Sequence, residues 1–396
     1  MNALWKRIRS RFRKHVSIPL FSAQGRDDPY PYYKELRETA PVHCLRKEKI
    51  WTVSRYGDVQ HVLNQPDLYL SSDLGGIENS LLGADGPDHL RVRKVVTKLF
   101  TAARLHSLED SIRVRAREYV DRMAEHGNCE LMRDLARPLP IQVIATVLDF
   151  DPGRWREYSR WSDAAAIDGT ECSDDAARAL RQRHLDEMNS FLADHLTECR
   201  AGRRIGFCST EVIPELSDEE ALDVLRLLLV AGHITTAFLL GNIVVALLRN
   251  PGVMKSLRAD PALIPSAVEE TLRINTPGLS VVRRPAKDVT LGGQRIRKDS
   301  VIFALLASAN HAEEKFVEPD LFQIDRNTQA HIGFGAGVHF CVGAPLSRLE
   351  ARVTTEVLLD RLEVIEAAEP IDEIKWEENM HLRGPKRLKL HVRAVQ

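Results

Sequence analysis

A single helical segment from Ser217 to about Arg249 constrains the fold more than any other feature of the sequence. Ser217 followed three residues later by Glu220 is a capping box, which marks a helix start, and an Asn-Pro pair at position 250 ends the pattern. These 33 residues would extend about 50 Å at the α-helical rise. The stretch Leu227 to Ala231 is apolar on all faces, so we expect a buried helix that crosses an entire domain.

The rest of the chain predicts mostly helix with a few short strands. From about residue 88 to 270, apolar residues recur at three- and four-residue spacing, as in amphipathic helices. Hairpins are predicted at 42–53 and 289–296, and a further strand at 300–306. No internal repeat or linker divides this pattern. We therefore predict a mainly α fold with a minor β region, in one large domain covering residues 28–396.

Composition and cysteine spacing limit the class of protein. The 396 residues carry 55 Lys and Arg against 56 Asp and Glu, a balance that argues against a nucleic-acid binder. The six cysteines show no paired metal-ligand spacing, which argues against a zinc site. No secretory signal is evident, so we expect reduced thiols and a cytoplasmic location.

Residues 1–27 form a separate, basic N-terminal segment. Its positions 5–14 mix Lys and Arg with apolar residues and contain no hydrophobic run near the ~20 residues that span a bilayer. Two interpretations stay open for this segment. It is either a mobile tail or a contact to an anionic membrane surface or a partner.

The strongest chemical signal is one cysteine, Cys341, on a glycine-rich loop before a helical segment. Glycines at positions 335, 337 and 343 permit backbone conformations closed to other residues and the close approach of a flat ligand. A thiolate there gains from loop amides and from the positive end of the following helix. Such a thiolate suits an axial bond to haem iron. The alternative is a buried cysteine acting as a small hydrophobe.

The loop resembles the haem-ligand loop of the cytochrome P450 family, Phe-Gly-x-Gly-x-His-x-Cys-x-Gly, at every defined position. Further segments match the same family in the right order from about residue 28. The resemblance implies a cytochrome P450 fold, a single helical domain around haem b. It also implies Cys341 as the thiolate ligand of the iron, with Phe334, Gly335 and Gly343 contacting the cofactor.

Cationic groups for the haem propionates are implied by the same resemblance. His89 and Arg93 lie one helical turn apart and would bind the propionates together with Arg283 and His339. Buried carboxylates need paired charge, so four such groups are reasonable. Arg283 is preferred over Arg284 by counting back from the Asp-Val pair at position 288. Each group alone would be an ordinary solvated surface charge.

A second charged motif lies upstream of the cysteine loop. Glu270 and Arg273 are neighbours on one helix face and resemble the family's Glu-x-x-Arg, which implies a buried structural clamp. The alternative is an ordinary surface ion pair. Downstream, Ser347 stands where alanine is usual in the family, a change expected to be harmless.

The middle of the long helical segment resembles the family's oxygen-activation segment, with Gly232, Thr235 and Thr236 as catalytic positions. A threonine hydroxyl there can bond the carbonyl four residues earlier or orient water. The family's usual acid is replaced by Ile234, so the ionisable member of the proton relay is absent. We expect water, Thr235 or the substrate to deliver protons. Adjacent helix positions point about 100° apart, so His233 and Ile234 face different directions. His233 either faces the pocket or packs against other helices.

Most residues expected to line the substrate pocket are apolar, which favours a bulky hydrophobic substrate. By the family's layout they are Leu81, Leu82, Ala165, Ile167, Val230, His233, Ile234, Leu279, Val281, Val282 and Met380. The bacterial-type pattern favours tailoring of a natural product such as a polyketide or peptide, whether free or tethered to a carrier.

The implied activity is that of a haem monooxygenase, which inserts one oxygen atom from O2 by hydroxylation or epoxidation. Electrons are expected from a separate ferredoxin or flavodoxin with its reductase. A basic docking face for that partner is predicted from helical spacing, consisting of Arg91, Lys94, Lys98, Arg348 and Arg352. Two alternatives stay open: a peroxide-driven or other oxidation on the same haem, and a non-enzymatic haem binder or sensor.

Overall fold

A computed structural model describes residues 20, 22–45, 49–72, 81–166, 174–377, 379 and 381–395. Its helices are α1 (Ala23–Asp27), α2 (Tyr30–Thr39), α3 (Tyr56–Leu63), α4 (Gly86–Thr97), α5 (Ala102–His126), α6 (Pro138–Val147), α7 (Trp155–Ala166), α8 (Asp175–Arg200), α9 (Asp218–Arg249), α10 (Pro251–Ala259), α11 (Ile264–Ile274), α12 (Leu306–Ala309) and α13 (Ala344–Arg361). Its strands are β1 (Val42–Leu45), β2 (Ile50–Val53), β3 (Tyr69–Leu70), β4 (Asn128–Glu130), β5 (Val281–Pro285), β6 (Val289–Leu291), β7 (Gln294–Ile296), β8 (Val301–Ala304), β9 (Leu362–Ala367) and β10 (Lys389–Ala394).

Helix α9 is the predicted long buried helix. The Ser217 side chain accepts from the Glu220 amide at 3.2 Å, and the Glu220 carboxylate accepts from the Ser217 amide at 2.9 Å, which completes the capping box. Helices α6, α7, α8 and α13 pack around it. It is long and apolar enough to cross a membrane, but 78% of its most apolar window is buried inside the protein. Its hydrophobicity therefore belongs to the core.

The strands form a small part of the fold. One sheet has the order β1-β2-β8-β5-β3, a second the order β4-β10-β9, and β6 and β7 form a hairpin. The predicted hairpins at 42–53 and 289–296 and the predicted strand near 301 are confirmed. Strand β2 pairs in parallel with β8, with Ile50 opposite Val301, a long-range pairing that local sequence patterns do not predict. The mainly α class with a minor β region is confirmed.

The described residues contain separate hydrophobic cores for the helices and the sheets. The largest unites α5, α6, α9, α11 and α13, and two smaller ones lie under the sheets and α2. Between α12 and α13, residues 310–343 contain no helix or strand apart from one turn, Gly337–His339. This irregular segment carries the cysteine loop into α13. The predicted N-terminal segment lies mostly outside the described residues, and its boundary stays a prediction.

Candidate functional site: a thiol facing an internal hollow

The cysteine loop has a tight, hydrogen-bonded path. Gly335 and Gly337 have φ of 75° and 67°, a region that favours glycine. A Cβ at Gly337 would lie 2.6 Å from the Leu63 carbonyl oxygen, so no other residue fits there without displacement. The Cys341 amide donates to the Phe334 carbonyl at 2.9 Å, which closes the loop. Cys341 therefore lies three residues before the start of helix α13.

The Cys341 thiol is both accessible and deep within the protein. The residue has exposed surface, whereas burial raises the pKa of its thiol. The amides of Gly343 and Ala344 and the charges of Arg93 and Arg348 act in the opposite direction and lower that pKa. Exposure and desolvation agree if the sulfur faces a hollow inside the protein.

A stripe on helix α9 also keeps exposed surface. Leu227, Ala231 and Thr235 recur at four-residue intervals and keep exposed surface, although most of this helix is buried. Thr235 is followed by Thr236, whose hydroxyl donates to the Ser347 hydroxyl at 3.3 Å. Because Ser347 lies on α13 just after the cysteine loop, this bond places α9 next to the start of α13, and we infer that the exposed stripe and the thiol share the hollow.

The predicted catalytic residues of α9 take different positions. Thr235 is partly exposed, and its hydroxyl donates to the Ala231 carbonyl at 2.8 Å. Thr236 is buried and turns toward α13 instead, which conflicts with a direct catalytic role. A Cβ at Gly232 would lie 2.9 Å from the Ile144 side chain, so this glycine permits close packing of α9 on α6. Of the predicted catalytic side chains, Thr235 is the one that keeps exposed surface on the stripe.

The four predicted propionate-binding residues converge beside the loop. The His89 and His339 rings stack at 4.1 Å between centroids. The Arg93 guanidinium donates to the Phe340 carbonyl, and Arg283 is 5% exposed. Burial lowers the pKa of His89 to about 4, helped by the neighbouring His339. A neutral His89 is therefore a hydrogen-bond donor at physiological pH.

Arg283 and Arg284 differ in their partners. Arg283 donates to the Val282 carbonyl at 2.7 Å, and burial lowers the pKa of its guanidinium. Arg284 forms an ion pair with Asp299, a half-exposed carboxylate, and donates to the Ser72 carbonyl. Arg283 is buried and its hydrogen bond goes to a neutral carbonyl, whereas Arg284 is already paired with a carboxylate, which supports the preference for Arg283 as a propionate ligand.

These residues fit a haem. His89 Nε2 is buried without a hydrogen-bond partner among the described residues. This is expected of a donor whose partner is a carboxylate of a bound ligand, such as a haem propionate. A Cβ at Gly343 would meet nothing within 4 Å, so a flat ligand can approach the loop there. Four donors, an accessible thiol and an open backbone match the propionates, the iron and the ring.

The Glu270–Arg273 pair is fully buried. Two bonds of 2.8 Å join the carboxylate and the guanidinium. The remaining Arg273 donors reach the carbonyls of Asn310, Pro319 and Leu321 in the irregular segment. This geometry is that of a clamp and differs from an exposed ion pair.

The predicted substrate-lining residues divide into several groups. Val230, Ala165, Val281 and Val282 are half-buried, and Leu82 is 47% exposed. By contrast, Leu81, Ile234 and Leu279 are buried in hydrophobic cores, which conflicts with a lining role in this conformation. Ile167 and Met380 lie outside the described residues.

His233 packs between helices and does not line the pocket, which corrects that part of the prediction. It is fully buried, and its Nδ1 lies 3.2 Å from the Ser162 hydroxyl on α7. Burial lowers the pKa of His233 to about 3, so the ring stays neutral. The physical reason is the rotation of about 100° per residue, which turns position 233 away from the stripe at 231 and 235.

The predicted basic docking face is largely neutralised, which corrects that expectation. Arg91 pairs with Glu220, and Lys98 pairs with Glu215. Arg348 binds both oxygens of Glu269 at 2.7 and 2.9 Å, and Arg352 binds Glu109 and Glu356 at 2.8 Å each. Glu356 is four residues after Arg352 on α13, but Glu220, Glu215, Glu269 and Glu109 come from distant parts of the chain, which the spacing of basic residues does not reveal.

Two acidic residues at the site are missing from the sequence-based set. Asp85 accepts from the amides of Ser71 and Ser72 at 2.8 Å and lies 3.3 Å from His339 Nε2. Burial would raise the pKa of Asp85, but these bonds lower it overall. Asp85 directly precedes a Gly-Pro pair at the start of α4, a sequence pattern that marks it as a residue at a helix start. Glu269, which holds Arg348 and His331, carried no such signal.

Comparisons with known proteins agree with this geometry. The family model "Cytochrome P450" matches residues 175–392. The chain is 35% identical over 378 residues to mycinamicin IV hydroxylase/epoxidase of Micromonospora griseorubida (89% of this chain, 93% of that one). It is 31% identical over 394 residues to the cyclomarin C epoxidase CymV of Salinispora arenicola (95% and 99%).

A solved structure shows the same fold. The structure of cytochrome P450 CYP109Q5 from Chondromyces apiculatus superposes with a TM-score of 0.85 at 33% identity, covering 95% of this chain and 98% of that one. Sequence and structure therefore agree on a thiolate-haem oxidoreductase of the monooxygenase type. The chain belongs to the cytochrome P450 family.

Proposed function

We propose that this cytochrome P450 oxidises a bulky hydrophobic natural product, such as a polyketide or a peptide, by hydroxylation or epoxidation. The observation that carries the proposal is the exposed surface of Cys341 together with that of Ala231 and Thr235 on α9, which we interpret as the lining of one hollow. The half-buried Val230 beside that stripe supplies apolar surface. Two relatives that match along most of the chain act on mycinamicin IV and cyclomarin C, as their names state.

The residues of the hollow have separate roles in this proposal. Cys341 would ligate the iron, and His89, Arg93, Arg283 and His339 would bind the two propionates. Bound haem with a thiolate ligand supplies the chemistry that cleaves the O–O bond. Thr235 would orient water or substrate with its hydroxyl, released from the Ala231 carbonyl.

Electrons would come from a ferredoxin or flavodoxin with its reductase, in the cytoplasm. Lys94 is exposed on α4. The other four predicted docking cations are paired with acids, so we expect replacement of Lys94 to weaken binding of the redox partner most. An acidic partner would bind with an affinity that falls as salt rises. A carrier-tethered substrate is compatible with the same hollow.

Peroxide-driven oxidation is the second candidate, and one observation favours it. Ile234 is buried in the core at the position where the family usually has an acid. A peroxide-driven reaction brings its own protons and both oxygen atoms with the oxidant. It therefore depends less on a proton relay than a reaction with O2 does.

A spectrum of the reduced, carbon monoxide-bound protein tests the site. We expect the long-wavelength Soret band of thiolate ligation in the wild type and its loss in Cys341→Ser, whereas Cys44→Ser, a half-buried cysteine in β1, should keep it. A Cys341→Ser protein with an unchanged band would refute the assignment. Product formation with a plant ferredoxin and its reductase, compared with hydrogen peroxide alone, then separates the two candidate reactions.

Substrate class is tested by the spin state. We expect macrolides and hydrophobic cyclic peptides to shift the Soret band of the ferric enzyme, and small polar compounds to leave it unchanged. No shift with any macrolide or peptide of a broad library would contradict the proposed substrate class.

A further inference from the structure

The side chain of His311 joins the end of helix α11 to the irregular segment. His311 is the second residue of that segment and is 5% exposed. Its Nδ1 lies 2.8 Å from an oxygen of the Asp320 carboxylate. Its Nε2 lies 2.9 Å from the carbonyl oxygen of Ile274, the last residue of α11. Both ring nitrogens of a buried histidine are therefore in hydrogen-bond contact with an oxygen.

Both of these oxygens can only accept hydrogen bonds. The Ile274 carbonyl has no proton to donate. The bond from His311 lowers the pKa of the Asp320 carboxyl, which keeps that group ionised at neutral pH. A neutral imidazole has one N–H and can donate only one of the two bonds, whereas an imidazolium has two and donates both. The arrangement is therefore complete only when the His311 ring is doubly protonated.

The surroundings of the ring suit a cation. The Ile274 carbonyl belongs to the C-terminal end of α11, where the helix dipole favours positive charge. The Tyr30 ring lies 4.7 Å from the His311 ring between centroids. Burial raises the pKa of Tyr30 to about 12, so its hydroxyl stays neutral and donates to the Asn275 side chain at 3.2 Å. Tyr30 therefore packs against His311 without titrating in the same pH range.

The other ionisable groups near these contacts, among the described residues, are aspartate, glutamate, lysine and arginine side chains. They are Lys34, Arg37 with its partner Glu313, Arg273 with its partner Glu270, Asp28 and Arg383. Of the ordinary side chains, only histidine changes its charge between pH 5 and 8. A change in this contact within that pH range is therefore assigned to His311.

His311 and the clamp hold the same stretch of the irregular segment. Arg273 donates to the carbonyls of Asn310 and Pro319 at 2.9 and 2.7 Å. These two residues directly precede His311 and Asp320. The stretch 310–320 is thus fixed to α11 by an arginine, which is always charged, and by a histidine, whose second bond depends on its protonation.

This stretch also contacts the base of the cysteine loop. The Asn310 Oδ1 accepts from the Ile332 amide at 2.8 Å. Ile332 lies two residues before Phe334, whose carbonyl accepts from the Cys341 amide and closes the loop. The support of the loop therefore extends through Asn310 to its neighbour His311.

We propose that His311 is a pH-dependent tie between α11 and the irregular segment, and that its doubly protonated form strengthens haem retention. The imidazolium makes both bonds. As the pH rises the ring loses one proton to solvent and one bond is lost, because the nitrogen without a proton faces an acceptor. The cysteine loop then loses part of its support, and haem dissociates faster. This regulation concerns the cofactor and is independent of the substrate.

Nitrogen-15 NMR of the ferrous, carbon monoxide-bound holoenzyme with labelled histidines tests the protonation. The His311 ring is identified by the signals that are missing in His311→Arg. We expect two N–H nitrogens in this ring at pH 6 and one at pH 8. A single N–H at pH 6, or two at pH 8, would overturn the proposal.

Haem transfer to apomyoglobin tests the effect on the cysteine loop. The ratio of the transfer rates at pH 8 and pH 6 should be about tenfold larger in the wild type than in His311→Arg, the equivalent of one charge-assisted hydrogen bond. The reason is that the arginine keeps its charge and several donors at both pH values. His106→Gln, which replaces an exposed histidine on α5, should keep the wild-type ratio.

A neutral variant makes the test independent of whether the arginine fits. His311→Gln has no charge at either pH, so it should release haem at pH 6 about tenfold faster than the wild type and at pH 8 at the wild-type rate. The same ratio in the wild type and in either His311 variant would overturn the link between His311 and haem retention.

Discussion

The protein contains two buried groups of charged side chains that differ in how fully their hydrogen bonds are satisfied. In the clamp, Glu270 receives two bonds from Arg273 and others from the Gln323 amide and Arg326. The remaining donors of Arg273 reach backbone carbonyls. The clamp is complete within the chain.

The donor cluster beside the cysteine loop is incomplete within the described residues. His89 Nε2 lacks a partner, and Arg283 donates to a neutral carbonyl. Asp85 is the carboxylate that contacts this cluster through His339. The comparison indicates that buried charges whose hydrogen bonds are all made within the chain stabilise the fold. Buried charges with missing hydrogen-bond partners indicate a binding site.

The largest expected effect is loss of the clamp. Arg273→Ala leaves Glu270 buried without its main counterion, which should lower the free energy of unfolding by about 3–5 kcal/mol. Urea titration measures this change. The control is Arg249→Ala, which removes an exposed pair with Asp372 and should cost under about 1 kcal/mol. Equal losses in the two variants would contradict the distinction.

The donor cluster should respond with the opposite sign. His89→Leu removes an unpaired buried donor, so the haem-free protein should keep or gain stability. Loss of a hydrogen bond to a carboxylate, about 1.5–3 kcal/mol, should accelerate haem transfer to apomyoglobin roughly 10- to 100-fold. His61→Leu, on the exposed side of α3, should change neither quantity. A destabilised haem-free protein with normal haem retention would show that His89 belongs to the architecture.

Neighbouring arginines on β5 refine the same comparison. Arg283→Gln should accelerate haem loss about tenfold, the equivalent of one charged hydrogen bond. Arg284→Gln breaks a pair with half-exposed Asp299 and should change haem loss and stability little. Haem transfer measured on both variants checks the assignment, and a reversed order would identify Arg284 as the propionate ligand.

The smallest effect concerns acid stability. Burial alone would raise the pKa of Glu269, but bonds from His331 and Arg348 lower it to about 2 from 4.5. A lowered carboxyl pKa stabilises the folded state above pH 4.5, and this contribution is lost as the pH falls toward 2. Glu269 is 25% exposed, so the contribution should not exceed about 2 kcal/mol.

Urea midpoints at pH 7 and pH 3 measure this contribution. In Glu269→Gln the difference between the two midpoints should shrink, because the titrating group is gone. Glu363→Gln, which loses an exposed pair with Arg393, should keep the wild-type difference. An unchanged difference in Glu269→Gln would assign the acid sensitivity to other groups.

Local sequence information predicts the features that depend on neighbours in the chain. The capping box, the apolar length of α9 and the glycine-rich loop are short-range patterns, and the helix and the loop follow from them. The motif matches also identify His89, Arg93, Arg283 and His339 as one group. Their roles as ligands of the haem propionates stay predictions. Such patterns specify backbone conformation and candidate chemistry.

Features that depend on tertiary contacts escape the sequence. The parallel pairing of β2 with β8, the turn of Thr236 toward Ser347, and the acids opposite Arg91 and Arg352 all join distant segments. The exposure of a helical position depends on what packs against it, which the sequence does not show. For this reason His233 and Leu81 are predicted to line the pocket but lie in the packed interior.

The irregular segment between α12 and α13 makes the loop that holds the pigment dependent on a distant helix. No ladder of strand or helix bonds sets the path of this segment, and Arg273 on α11 is among the side chains that hold it, through three backbone carbonyls. We therefore expect that removal of this guanidinium would loosen the support of the sulfur at position 341 and weaken retention of the pigment.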